Sequence, residues 1–415
     1  MLPAGPAYSY TRPQRAALRF ALAFTGLFFL SFSFPHPLLP DAGRILGVPF
    51  DALTAWAARR LFHLPKTNRH YSDAAGMYLY VGLLLAISAL VTIFTSLLRS
   101  RRIPYQKLQY WLLAALRYYL AMQLLAYGFS KVFKEQFYLP EPNTLYTPAG
   151  QLGRDILYWS AMGSSRAYVM FMGFTEVLAA LLLLIRRTQL AGALLTAGIF
   201  INVLAVNIGF GISVKLYTAV LLAFCGMLLL PQWRRLAPLF TDSAVPPQPP
   251  PYRPMRWQQA LRGIRAIIIM ALFCDVLWPA FHSRVFNDDA AKRPPLHGAY
   301  DAVLFIKNGD TLAPLLTDSA RWRRFFFHRA GYFIAQDMQD EMHAYTATID
   351  TGTQELWLAL PGDSVERGFD YSWGADSLLR ISGWLGDDSL TVFGRRLDWR
   401  KLPLMRDERH WVEEE

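Results

Sequence analysis

RYYLAMQLLAYGFSKVF (117–133), FMGFTEVLAALLLLIRR (171–187) and ALLTAGIFINVLAVNIGFGISVK (193–215) decide how this chain is read. Each is long and apolar enough to cross a bilayer, which takes roughly 17 to 25 residues of helix. Between them they carry Arg117, Lys131, Glu176, Asn202, Asn207 and Lys215 at or near membrane depth. Polar and ionisable side chains are expensive there and face a partner or a wet cavity. They are therefore the first place to look for function.

The rest of the chain is loaded unevenly. Of 415 residues 53% are hydrophobic and 18% charged, and the apolar residues gather before about residue 283. Uneven loading of this kind indicates a membrane part followed by a water-exposed part. The net charge of +11 raises nucleic acid as a partner, but the basic residues sit at the ends of apolar segments. Arg15 with Arg19, Arg99 to Arg102, Arg186 with Arg187 and Arg262 with Arg265 follow the positive-inside pattern of a multispanning protein. The expected partner is the lipid bilayer, and no nucleic acid is expected. Two cysteines, Cys225 and Cys274, fall inside apolar segments without a CxxC pair and read as buried thiols. The histidines show no metal-ligand spacing, so no metal is expected.

Seven spans are expected, at 16–34, 77–98, 110–133, 168–185, 190–210, 216–230 and 264–281. Residues 1–109 hold two of them with an external amphipathic segment at 50–64, and 110–230 hold four. Residues 231–262 form a Pro-rich cytoplasmic linker, expected to be an extended spacer, and 263–283 the seventh span. With the amino terminus in the cytoplasm, seven crossings place 284–415 outside the membrane. That last stretch alternates with period two and has turn signals at Asn308-Gly309 and Thr351-Gly352, which predicts a mainly antiparallel β domain. Its aromatic residues, Trp322, Phe325, Phe327, Trp357, Trp373, Trp384 and Trp399, are expected mostly in the core. The fold class is therefore an α-helical membrane bundle plus a carboxyl-terminal β domain.

Depth follows from about 1.5 Å of rise per residue. Arg117 lies roughly 10 Å above the inner surface on that rise, and Glu176 roughly 15 Å. The two are expected to form a charge-assisted pair between helices, and as the candidate catalytic residues Glu176 handles a proton beside Arg117 as counter-charge. Lys131, Asn202, Asn207 and Lys215 are the candidate substrate contacts, with Lys131, Asn207 and Lys215 making an outward-facing basic mouth for an anion or a quinone head group. The structural alternative is open for each. A buried ion pair can fix helix register, a lysine can snorkel, and asparagines serve as interhelical hydrogen-bond glue.

The segments FSKVFKEQF (129–137) and GFTEVLAALLLLIRRTQLAGALLTAGIFINVLAVN (173–207) resemble the helices of DoxX-like membrane proteins. In that family one core helix ends in G-x-x-K, here Gly128 to Lys131, and the next opens with G-x-x-E, here Gly173 to Glu176. The extra leading helices and trailing β domain resemble a long bacterial subtype. The resemblance implies a four-helix core in the bacterial cytoplasmic membrane and a component of a membrane redox process, with a quinone as possible cofactor and a membrane or extracytoplasmic redox partner. Two other readings stand beside it: a non-enzymatic anchor that presents the β domain to a partner or ligand, and a small-solute transporter.

Overall fold

The computed structural model describes residues 10–32, 47–64, 72–98, 104–241, 258–362 and 365–406. The stretch VPPQPPPYRP (245–254) and the basic loop from Arg99 to Arg102 lie outside the described residues. The chain divides into two compact units, Met1–Phe133 with Met170–Phe286 and Lys134–Val169 with Asn287–Glu415.

The first unit is helical. Its elements are α1 (Arg12–Ser31), α2 (Val48–Leu61), α3 (Ala75–Leu97), α4 (Tyr105–Val132), most of α6 (Arg166–Leu184), α7 (Gln189–Gly209), α8 (Lys215–Leu229), α9 (Trp233–Thr241) and α10 (Gln258–Ser283). Six stretches among the described residues are long and apolar enough to cross a membrane: Ala75–Leu97, Tyr105–Val132, Arg166–Leu184, Gln189–Gly209, Lys215–Gln232 and Gly263–Ala290. The expected first span, α1, is not among them, because Arg15 and Arg19 dilute its apolar run. It still buries Phe24, Phe28 and Phe32 in the same core as Tyr80, Tyr119 and Phe224. Outward, Leu90, Phe94, Phe171, Phe174, Ile201 and Ile267 are exposed. An apolar surface that broad is a liability in water and natural against acyl chains.

Of two further expectations about this unit, only the second changes. The amphipathic segment does form α2, but it faces the protein with Thr54 and Ala58 and leaves Leu53, Trp56 and Leu61 exposed. That orientation suits a helix lying on a bilayer surface. The expected spacer at 231–262 is helical at both ends, as α9 and the start of α10.

The second unit is a closed antiparallel barrel. Strands β1 (Gly298–Lys307), β3 (Trp322–His328), β4 (Tyr332–Asp337), β5 (Met342–Asp350), β6 (Glu355–Ala359), β7 (Arg367–Trp373), β8 (Leu378–Leu385) and β9 (Asp388–Leu397) pair in sequence. β9 returns to β1 from Ala299↔Leu397 to Lys307↔Leu390, which leaves no open edge in the ring. The short β2 (Asp310–Thr311) folds back on β1 through Asn308 and Gly309, both at positive φ (52° and 88°), as a tight hairpin turn demands. Tyr300, Phe305, Phe325, Phe333, Leu379 and Ile381 fill the interior. Gly394 is needed there, since a Cβ would stand 2.3 Å from the Phe325 ring. Trp357, Trp373 and Trp384, expected in the core, are 38%, 45% and 62% exposed.

The β unit is larger than its expected bounds, because the connection 134–169 belongs to it. There the chain forms a single helical turn (Pro142–Leu145) and α5 (Arg154–Ser164). The fully buried Lys134 donates to the carbonyls of Phe137 (2.7 Å) and Gly163 (2.6 Å). Tyr146 stacks on Phe326 of β3, and the Gln336 amide donates to the Tyr146 carbonyl at 3.1 Å.

Candidate functional site

α4 and α6 cross at two glycines. A Cβ on Gly128 would lie 2.9 Å from the Gly173 carbonyl oxygen, and one on Gly173 would lie 2.6 Å from the Gly128 carbonyl oxygen. Only bare backbones pass that closely. Three residues after each glycine, on the same helix face, come Lys131 and Glu176. Lys131 Nζ donates to Glu176 Oε2 at 2.9 Å, with each residue 6% exposed. The G-x-x-K and G-x-x-E patterns thus meet as one device: the glycines set the approach, and the approach closes the ion pair.

The expected Arg117–Glu176 pair is therefore wrong. Arg117 NH1 donates to Gln189 Oε1 at 2.7 Å instead. The reason is direction. A helical side chain leans toward its own amino terminus. From Lys131 this carries the ammonium back along α4 to within 3.5 Å of the Tyr127 carbonyl and into reach of Glu176. From Arg117, fourteen residues earlier, the same lean carries the guanidinium toward the start of α4 and away from Glu176, into a cavity of about 270 Å³ lined by Tyr110, Tyr118, Arg186, Gln189, Gln232 and Arg265.

The expected outward mouth does not assemble as drawn. Asn207 is buried and donates to Thr218 Oγ1 at 3.0 Å, which joins α7 to α8. Lys215 Nζ lies 3.3 Å from Asp73 Oδ2. The same Asp73 carboxylate accepts the backbone N–H groups of Lys215 and Leu216, each at 2.9 Å, and so caps α8. Asn202 is exposed on α7 and joins none of these groups. Of the two cysteines, Cys225 is buried but Cys274 is exposed.

One residue passed over in the sequence lies on the same helix, about 12 Å before Lys131 along α4. Gln123 is fully buried, and both of its side-chain amide atoms lack a hydrogen-bond partner among the described residues. Tyr119, Gln123, Tyr127 and Lys131 recur every four residues, so they form one slowly drifting stripe along α4. At its other end Tyr119 and Tyr217 share a hydrogen bond of 3.1 Å. The signal was legible as a glutamine inside an apolar span, where an unmet amide costs on the order of 1–3 kcal/mol.

A second buried polar cluster lies wholly within the β unit. Glu141 Oε2 is 3.0 Å from His297 Nε2 and accepts the Arg329 backbone N–H at 3.2 Å. Burial pushes the Glu141 pKa up, but the His297 hydrogen bond, the His328 charge and the Arg329 N–H outweigh it and hold the carboxyl below its ordinary value. Burial lowers the pKa of His328, against the pull of Glu141. Asp288 takes both guanidinium nitrogens of Arg329 at 2.6 Å and a third contact from Arg293 at 3.3 Å. Among the described residues no group of three or more His, Cys, Asp and Glu could hold a metal ion.

No family model matches the chain, and no solved structure matches it. One curated protein, the uncharacterized protein YwoB of Bacillus subtilis (strain 168), is 35% identical over 132 residues, which is 32% of this chain and 84% of YwoB. That likeness spans most of YwoB and about a third of the present protein. This chain therefore belongs to the family of YwoB.

Proposed function

We propose that the helical unit is a DoxX-like component of a membrane redox process, and that it holds a quinone head group or a small polar solute beside Lys131 and Glu176. The observation that carries this reading is the ion pair itself, closed at a glycine crossing and buried in an apolar bundle. Replacing such a pair by hydrophobic residues is often neutral or stabilising, so stability alone gives little reason to keep it. The orphaned amide of Gln123 adds a donor and an acceptor of the kind a quinone carbonyl or hydroxyl would use.

In this reading Glu176 exchanges a proton with the bound group, and Lys131 takes the counter-charge role first given to Arg117. Asn207 and Lys215 act by holding α7 and α8 in place. The protein resides in the cell membrane with its amino terminus in the cytoplasm and its β unit outside. That orientation is supported by the basic residues at helix ends, and it requires α1 to cross as a seventh span.

The test is mass spectrometry of small molecules that copurify with the wild type and with Glu176→Gln, together with quinone binding by the purified protein. A wild type that binds no quinone and shows no redox activity, with full cellular function retained in Glu176→Gln, would overturn the proposal.

A further inference from the structure

Where β1 begins, β9 ends and β7 ends, the barrel opens into a cleft of about 710 Å³. All three strand ends lie at the same rim, because Ala299 pairs with Leu397 and Leu378 pairs with Arg395 beside Trp373. Barrel mouths are a recurrent place for small-molecule sites. Arg293, His297, Trp373, Arg396, Trp399 and Arg400 face this one.

The charges around the cleft do not cancel. Arg293 shares Asp288 with Arg329, and the lining acid Asp398 is paired with Lys401 at 3.1 Å. That leaves Arg396 and Arg400, neither of which has a carboxylate partner among the described residues. Both are oriented by neutral groups. Arg396 NH2 donates to the His297 carbonyl at 3.2 Å, and the Arg400 guanidinium lies 5.3 Å from the centre of the Trp399 ring.

The rim that holds them is built at a cost. Leu296, just before His297, adopts φ +62°, and strain of that kind in a residue with a side chain persists where surrounding structure enforces it. The His297 ring is pinned from behind by Glu141, so the carbonyl that aims Arg396 has a fixed position. Two aimed guanidinium groups lining one cleft beside exposed Trp373 suit an anion with several acceptor oxygens.

We propose that this cleft binds a phosphate-type oxyanion, with Arg396 and Arg400 as its direct contacts and His297 positioning Arg396. The shared chemistry is a phosphate monoester or diester, whether on a free small molecule or on a lipid head group. This does not depend on the redox reading of the helical unit.

The experiment uses the full chain. In phosphatidylcholine nanodiscs, inorganic phosphate and glycerol 3-phosphate are titrated by calorimetry, with glycerol as the neutral control. In a second arm, phosphatidylglycerol retained by the purified protein is measured by mass spectrometry. We expect Arg396→Gln and Arg400→Gln each to weaken binding by about tenfold, the worth of one charge-assisted hydrogen bond. Arg396→Lys should restore part of it, and unfolding midpoints should stay unchanged because both side chains are exposed. Binding of the soluble phosphates supports a free ligand, and selective retention of phosphatidylglycerol lost in the double variant supports a lipid. Absence of both, binding unchanged in the double variant, or glycerol binding as well as glycerol 3-phosphate would overturn the proposal.

Discussion

Lys131 stands in the last turn of α4, where a lysine usually reaches out to the membrane surface, yet here it is buried against Glu176. Breaking one half of such a pair strands the other charge, at a cost on the order of 3–5 kcal/mol. We expect Glu176→Gln and Lys131→Met each to lower the unfolding midpoint of the detergent-solubilised protein, and the double variant to recover much of the loss. A double-mutant cycle separates the rival pairings: large coupling between Lys131 and Glu176, near zero between Arg117 and Glu176. Glu141 makes the matching case in the β unit. Its folded pKa is depressed, so its stabilisation is complete above the ordinary glutamate value and is lost as pH falls through the folded value. His328 is depressed as well, so the folded state binds fewer protons and stability again falls with pH, beginning at the ordinary histidine value. Both shifts act in one direction. We expect the unfolding midpoint of the β unit to drop steadily from neutral to acid pH, and Glu141→Gln to flatten the most acidic part. A midpoint that rose on acidification would contradict this.

At the scale of elements, the crossing of α4 and α6 hangs on Gly128 and Gly173. Gly173→Val should push the helices apart and cost about 1–3 kcal/mol as overpacking, and it should disturb Lys131 and Glu176 together. Gly198→Ala in α7, where a Cβ meets nothing within 4 Å, is the control and should cost no stability, since alanine is the better helix former. The connection 134–169 is the second element on which the fold of its unit depends. It supplies Glu141 to His297 and Tyr146 to the face of Phe326, neither of which a fragment starting at residue 284 would contain. We expect that fragment to be insoluble or poorly protected in hydrogen exchange, and co-expression with a 134–169 segment to improve it. Equal protection with and without the segment would show that the connection is only a tether.

For the whole molecule, the β unit and the Arg186–Arg187 turn are expected on opposite faces of the membrane. In a background lacking Cys225 and Cys274, a cysteine at Lys307 should react with an impermeant maleimide added from outside. One at Arg187 should react only after the membrane is opened. Labelling of both from one side would mean that one of α7, α8 and α10, the three membrane-length helices between the two sites, does not cross, and would overturn the proposed orientation.

What the amino-acid order determined by itself was whatever depends on runs and periods. Long apolar stretches separated by basic turns require helices in lipid, and alternation broken by Asn308-Gly309 and Thr351-Gly352 requires antiparallel strands, since local hydropathy and turn chemistry act over a few residues. The glycine-lysine and glycine-glutamate patterns were visible too, but as two separate motifs. Only the tertiary structure decided that they face each other, that Arg117 turns to Gln189, that Asn202 is left outside, and that the 134–169 connection packs against the barrel. Those outcomes depend on the angle at which helices cross and on the lean of each side chain along its own axis. About 21 Å of helix separates Arg117 from Lys131, and nothing along the chain says which of the two a neighbouring carboxylate will meet.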